Sequence, residues 1–78
     1  MSDLLAREYE KALDAIEEGN DGAVELCCRR MIRTAPDDLR TIEIQAELAL
    51  LRTNFSAAQA LFEKLVSQAS SKKSNTHI

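Results

Sequence analysis

Residues 36–69 read PDDLRTIEIQAELALLRTNFSAAQALFEKLVSQA, and this stretch carries most of the architectural information because it partly repeats the residues that lie 34 positions earlier. An interval of about 34 residues is typical of one helix–turn–helix unit in a helical repeat protein. Such a unit stacks on a neighbouring unit to bury its apolar face, and it leaves its remaining surface for a partner. The identical pairs are Asp3 and Asp37, Leu5 and Leu39, Ala12 and Ala46, Ala15 and Ala49, Asn20 and Asn54, Ala23 and Ala57, and Ala35 and Ala69.

Four segments of the chain have the spacing of apolar residues that predicts amphipathic helices. Residues typical of helix ends separate them: Gly19, Pro36 and Asn54. The sequence therefore predicts an all-α domain over residues 1–69, built from two antiparallel helical hairpins at about 3–35 and 36–69. The predicted helices cover about residues 3–18, 22–35, 37–52 and 56–69.

The predicted fourth helix has a recognisable start and end. Ser56 with Gln59 fits a capping box, and Phe55 occupies the staple position before it. We expect the apolar residues of this helix, including Phe62 and Val66, to be buried. Residues 70–78 are polar, serine-rich and without period, which predicts a flexible tail.

The predicted third helix differs from the other three because apolar residues cover most of its circumference. A helix of this kind is buried from several sides, which suits the middle of a stack. Its apolar residues are Ile42, Ile44, Ala46, Leu48, Ala49, Leu50 and Leu51.

The third and fourth segments together resemble a tetratricopeptide repeat. The family places a large apolar residue early in its first helix, small residues where the helices cross, and aromatic residues in the turn and second helix. The residues of this chain that fall on those places, in order, are Ile42, Ala46, Ala49, Phe55, Ala58 and Phe62. The resemblance implies a short right-handed array of stacked hairpins. Alanine-rich amphipathic helices also build ordinary four-helix bundles, and this alternative stays open.

Composition and charge exclude several function classes. The chain of 78 residues has a formal net charge of −3, and all its acidic residues precede residue 70. An acidic body repels phosphate backbones, so we expect no nucleic-acid partner. The start of the chain lacks a cationic leader, and no apolar run approaches transmembrane length. We therefore expect a cytoplasmic protein that does not associate with a membrane.

No arrangement of residues in the sequence predicts catalysis. Cys27 and Cys28 are adjacent on a predicted helix, so their side chains diverge by about 100° and are expected to be small apolar core residues. The only histidine, His77, lies in the predicted tail, so it forms no site with a nucleophile or a metal. We expect neither an enzyme nor a bound cofactor.

The resemblance implies a binding surface, because the first helix of each tetratricopeptide unit lines the concave side of the array. The predicted partner-binding residues, given at the end of this paragraph, would form an apolar groove edged with acids, which we call the lane. Such a groove suits an amphipathic helix of a partner protein, with basic flanks. A chaperone or adaptor role follows from this hypothesis. Two alternatives remain open: a homodimer through the same lane, and simple packing of these residues within one compact bundle. The predicted partner-binding residues are Tyr9, Leu13, Ile16, Arg40, Glu43, Ile44, Glu47 and Leu51.

Overall fold

The computed structural model describes the backbone of residues 3–77 and the side chains of residues 4–68. Its described residues form helices and turns without a β-strand, which confirms the predicted all-α class. None of these helices is both long enough and apolar enough to cross a membrane. The helices are α1 (Asp3–Glu18), α2 (Asp21–Thr34), α3 (Leu39–Leu51) and α4 (Phe55–His77).

The helices pack as two hairpins, α1 with α2 and α3 with α4. Each hairpin has a short connection, so its two helices are antiparallel. α3 also packs on α1 and α2, whereas α4 contacts only α3 within the described part of the chain. A closed four-helix bundle would bring the last helix against the first. The arrangement is therefore an open stack of two hairpins joined through α3, and its right-handed twist stays a prediction.

The turn that ends α1 explains one part of the sequence repeat. The backbone N–H of Gly19 donates to the carbonyl oxygen of Ile16 at 3.0 Å, and that of Asn20 donates to Ala15 at 2.9 Å. These two bonds satisfy carbonyl groups that a helix end leaves without partners. Gly19 has a φ of 70°, the left-handed conformation that this motif requires.

The turn that ends α3 repeats this geometry at the positions 34 residues later. Thr53 donates to Leu50 at 2.9 Å, and Asn54 donates to Ala49 at 2.8 Å. Thr53 takes the place of Gly19 and has a φ of 56°, although it is β-branched. A β-branched side chain in the left-handed region is sterically unfavourable. The second turn is therefore strained where the first is not.

We expect Thr53→Gly to stabilise the protein by about 0.5–1 kcal/mol, because glycine relieves the left-handed strain by more than it adds to unfolded-chain entropy. Chemical denaturation of the variant and the parent measures the difference. Thr53→Ala is the matched control, since it removes the hydroxyl but keeps the Cβ atom. A less stable glycine variant would show that the bond from Thr53 Oγ1 to the Arg52 carbonyl, 2.6 Å long, outweighs the strain.

The asparagine of each turn also starts the next helix. The side-chain oxygen of Asn20 accepts from the N–H of Ala23 at 3.2 Å, and that of Asn54 accepts from Ala57 at 3.4 Å. Ser56 is therefore not the cap of the fourth helix, and that prediction was wrong. The side-chain oxygen of the turn asparagine already accepts from a free N–H group of the first helical turn. The helix therefore starts at Phe55, one residue earlier than predicted.

α4 also ends later than the sequence predicts. Its backbone continues through the polar residues to His77, so the predicted helix end at Ala69 was wrong. The segment contains neither proline nor glycine, so nothing in it forces the helix to stop. The flexibility of residues 70–78 stays a prediction, and Ile78 lies outside the described residues.

The main core lies between the first hairpin and α3. Ile44 of α3 is fully buried in it, and Leu48 and Leu51 pack against its edge. A second buried group, Ile42, Ala46 and Ala58, belongs to the second hairpin. The other buried members of the main core are Leu5, Ala12, Ala15, Val24, Cys27, Cys28 and Met31.

Candidate functional site

α3 covers one face of the first hairpin, and the second hairpin has an equivalent face that can be compared with it. Tyr9 and Ile16 on α1 pack against the core that contains Ile44, and Cys28 on α2 is only 4% exposed. The hydroxyl of Tyr9 donates to Oε1 of Glu43 at 3.0 Å, which joins α1 to α3. We call this side of the hairpin the covered face. Tyr9, Ile16 and Cys28 form its more buried part, and Leu13 on α1 and Ile32 on α2, each 38% exposed, lie at its edge.

The second hairpin has the same face, but the described structure places no helix on it. Shifting the covered face by 34 residues gives the residues that define it, which we call the outer face: Glu43, Glu47 and Leu50 on α3, with Phe62 and Val66 on α4. Leu50 is 39% exposed, and Val66 is 63% exposed against 38% for its equivalent, Ile32. Phe62 is half-buried where its equivalent, Cys28, is buried. The outer face is therefore apolar at its centre and open.

Two grooves show the same relation between the hairpins. The first, of about 340 Å³, runs between α2 on one side and α3 with α4 on the other, and its α2 wall is Glu25, Cys28, Arg29 and Ile32. The second, of about 530 Å³, lies along α4, and four of its lining residues are the repeat equivalents of that α2 wall: Gln59, Phe62, Glu63 and Val66. The α4 groove thus has one wall of the α2 groove, without the helices that form the opposite wall.

Arg52 holds the second hairpin against α2 at the end of the first groove. Its guanidinium donates to Asp21 at 3.0 Å and to Glu25 at 2.6 Å. The hydrogen bond and positive charge of Arg52 lower the pKa of the Glu25 carboxyl, and the charge of Arg29 adds to this effect. The first groove is therefore crossed by an internal ion pair, whereas the outer face has none among its defining residues.

The structure brings the polar members of the predicted lane together. Burial raises the pKa of the Tyr9 hydroxyl, and the hydrogen bond to Glu43 and the negative charge of Glu43 raise it further. Tyr9 therefore stays a protonated donor at neutral pH. Arg40 contacts the carboxylate of Asp38 at 3.1 and 3.2 Å, while Glu47 is half-buried. Glu43 and Glu47 belong to the outer face.

The apolar members of that lane do not form an open surface. Ile44 is fully buried in the core, so it does not line a groove, and this part of the prediction needs correction. Ile16 and Leu51 are half-buried against the same core, while Leu13 remains at its exposed edge. The physical reason is that α3 itself occupies the lane of the first hairpin.

Sequence reasoning missed the role of α4. Phe62 and Val66 have helical spacing and were expected to be buried, yet they lie at the open side of the second hairpin. Their repeat equivalents on α2 meet α3, and no later helix in the described chain plays that part for α4. A shift by one repeat of the α2 residues that line the first groove, Cys28 and Ile32, gives these two positions.

The cysteines and the buried carboxylate belong to the core of the first hairpin. Burial raises the pKa of both Cys27 and Cys28, so the thiols are not activated as nucleophiles. Glu8 is buried between the two helices, with Arg30 at 3.5 Å and Lys11 at 3.9 Å from Oε2. Among the described residues, no group of three or more His, Cys, Asp or Glu is placed to hold a metal ion.

We expect Glu8→Leu to leave the free energy of unfolding unchanged or to raise it by up to about 2 kcal/mol, because a buried carboxylate loses more hydration than its two largely exposed cationic partners return. Its Oε1 has no hydrogen-bond partner, and its repeat equivalent is the fully buried Ile42. Urea denaturation measures the change. Arg30→Met should act in the opposite direction, since it leaves Glu8 buried without its nearer cation. A clear loss of stability in Glu8→Leu would show that the ion pair is a net stabiliser.

Comparison with protein-family models, with curated proteins and with solved structures finds no match for this chain. The resemblance to tetratricopeptide repeats therefore stays a prediction.

Proposed function

We propose that this protein is a non-catalytic interaction module that binds a helix of a partner protein on the outer face of its second hairpin. One observation carries the proposal. Leu50 and Val66 are exposed and Phe62 is only half-buried, at positions whose equivalents in the first hairpin lie beneath or beside α3. Contiguous exposed apolar side chains mark sites where proteins associate.

A helix is the ligand that this shape favours. The covered face shows which element fits such a surface, because α3 is a helix and packs across both α1 and α2. Helix-in-groove recognition uses apolar anchors spaced along one side of the ligand helix. The adaptor or chaperone role implied by the tetratricopeptide resemblance is part of this proposal: the protein would shield a partner's amphipathic helix from water. We place this action in the cytoplasm, in keeping with the free cysteines of α2.

Binding of a designed helix tests the proposal. A labelled amphipathic peptide of about 15 residues, with leucines on one side and lysines elsewhere, would be titrated with the protein. Leu50→Ser and Val66→Ser should each weaken binding by about tenfold, because each removes apolar area worth about 1.5 kcal/mol. Leu26→Ser is the matched control, since the exposure of Leu26, 56%, lies between those of Leu50 and Val66, and Leu26 is on α2 outside the outer face.

Two results would count against the proposal. Equal affinities for Leu50→Ser, Val66→Ser and Leu26→Ser would show that the peptide binds elsewhere. A concentration-dependent dimer that dissociates in Leu50→Ser would instead support a homo-oligomerisation domain, in which a second copy occupies the outer face. Sedimentation of the free protein over a range of concentrations distinguishes this outcome from a monomer.

A further inference from the structure

We infer, resting on the proposed function, that the outer face selects a basic amphipathic helix. Glu43 and Glu47 are the residues that attract its positive charge. The inference comes from the positions at which the outer face and the covered face differ. On the α3 side of the outer face, two positions carry carboxylates: Glu43 and Glu47 stand where the covered face has Tyr9 and Leu13. The third position stays apolar, with Leu50 in place of Ile16.

The contact between Tyr9 and Glu43 shows what these changes require of the ligand. α3 places the acceptor Glu43 against the donor Tyr9, and the negative charge of Glu47 also acts on the Tyr9 hydroxyl. In the second hairpin, the place of Tyr9 is taken by Glu43 itself. A helix that docked as α3 does, with acids at the same two places, would set like charges against Glu43. A ligand helix with lysine or arginine at those places would instead pair with it.

The rest of the outer face adds negative charge and no compensating cation. Glu63 lies on the α4 side, where Gln59 donates to it at 3.3 Å. The defining residues of the outer face, with Gln59 and Glu63, include no lysine or arginine. Arg40, one turn before Glu43 on α3, is close enough for its positive charge to act on the Tyr9 hydroxyl, but its guanidinium is paired with the carboxylate of Asp38. The apolar centre is thus bordered by three carboxylates.

The same charges argue against a second copy of the chain as the ligand. A symmetric dimer through the outer face would bring its carboxylates against their own copies. Head-to-tail stacking would place α1 of a second copy on the outer face. That α1 would make contact through the residues equivalent to Ile44, Leu48 and Leu51, the α3 residues that pack on the first hairpin. Those equivalents are all exposed acids: Glu10, Asp14 and Glu17. Either contact would oppose acid to acid, so a foreign basic helix is the occupant that fits.

The geometry of α3 defines the pattern of that helix. Its contact residues Ile44, Leu48 and Leu51 have the spacing i, i+4 and i+7, and Glu43 and Glu47 each precede one of them. The ligand helix should therefore carry apolar residues at i, i+4 and i+7, with lysine or arginine at i−1 and i+3. Placed in the manner of α3, it would bury Leu50, Phe62 and Val66 and set its cations against Glu43.

A charge-swap experiment tests the inference separately from the proposed function. Two peptides share this apolar pattern, and one has lysine at i−1 and i+3 where the other has glutamate. We expect the lysine peptide to bind about tenfold more tightly at low salt, with the difference shrinking as ionic strength rises. Glu47→Lys should abolish or reverse the preference, and Glu47→Gln should reduce it. Glu10→Lys, on α1, changes net charge by the same amount and should leave the preference unaltered.

The outcomes separate the two hypotheses. If both peptides bind equally and both are weakened by Leu50→Ser, the outer face binds helices but the charge selection is wrong. Tighter binding of the glutamate peptide overturns the selection as well. If neither peptide binds the parent protein, the proposed function fails together with the inference. A preference that Glu10→Lys removes as fully as Glu47→Lys does would reduce the effect to net charge and overturn the assignment to Glu47.

Discussion

Replacing Ile44 with alanine is expected to lower the free energy of unfolding by about 2–5 kcal/mol, the usual cost of truncating a large aliphatic side chain in a core. Ile44 is fully buried, and it is the residue of α3 that enters the main core of the first hairpin. The substitution therefore opens a cavity at the junction between the two hairpins. Small domains are only marginally stable, so a loss of this size would unfold a large part of the population.

Urea denaturation followed by circular dichroism measures this loss. Leu26→Ala is the matched control, because Leu26 is an exposed aliphatic residue in the middle of a helix and its truncation should change stability by less than about 0.5 kcal/mol. Similar effects of the two substitutions would contradict the placement of Ile44 in the core. The result would then support the sequence-based expectation that Ile44 lines an open surface.

Enlarging Ala46 to leucine is expected to cost about 1–3 kcal/mol through overpacking. Ala46 is fully buried in α3, the helix that packs on all three others. A small residue there lets two helix backbones approach closely, so additional carbons can fit only if the helices move apart. The effect is smaller than that of Ile44→Ala because a helix can shift by a fraction of an ångström, whereas a cavity stays unfilled.

The same denaturation measurement applies, and Ala60→Leu is the control. Ala60 is exposed on α4, and leucine is nearly as good a helix former as alanine, so the control should be close to neutral. Equal stability of Ala46→Leu and the parent would mean that position 46 faces solvent. That result would contradict both the structure and the repeat register from which the close crossing was predicted.

The sequence predicted the elements of this fold well because helix formation depends on local spacing. The α1 bounds agree with the apolar period, and the paired asparagines, Asn20 and Asn54, mark both turns within the hairpins. The errors lie at helix ends, where chemically similar residues compete. Asn54 rather than Ser56 caps α4, and the polar segment after Ala69 continues the helix although it has no apolar side.

The candidate site could be predicted only in part, because exposure depends on which helices are neighbours. Glu43 and Glu47 were expected at a binding surface and belong to the outer face. Ile44 was expected beside them but is fully buried in the main core. On a helix that is apolar almost all round, adjacent residues point about 100° apart, and sequence alone does not tell which direction is filled.

The division between sequence and tertiary structure follows from the range of the forces involved. Helix periodicity, turn chemistry and the repeat interval are properties of residues close in the chain, so the linear sequence was enough to predict four helices in two hairpins. Which apolar residues stay exposed depends on contacts between distant segments. α3 packs on α1 and α2, and the described chain provides no helix for the equivalent face of the second hairpin. Only the assembled structure therefore distinguished Ile44, which is buried in the core, from Phe62 and Val66, which lie at the open side of the second hairpin.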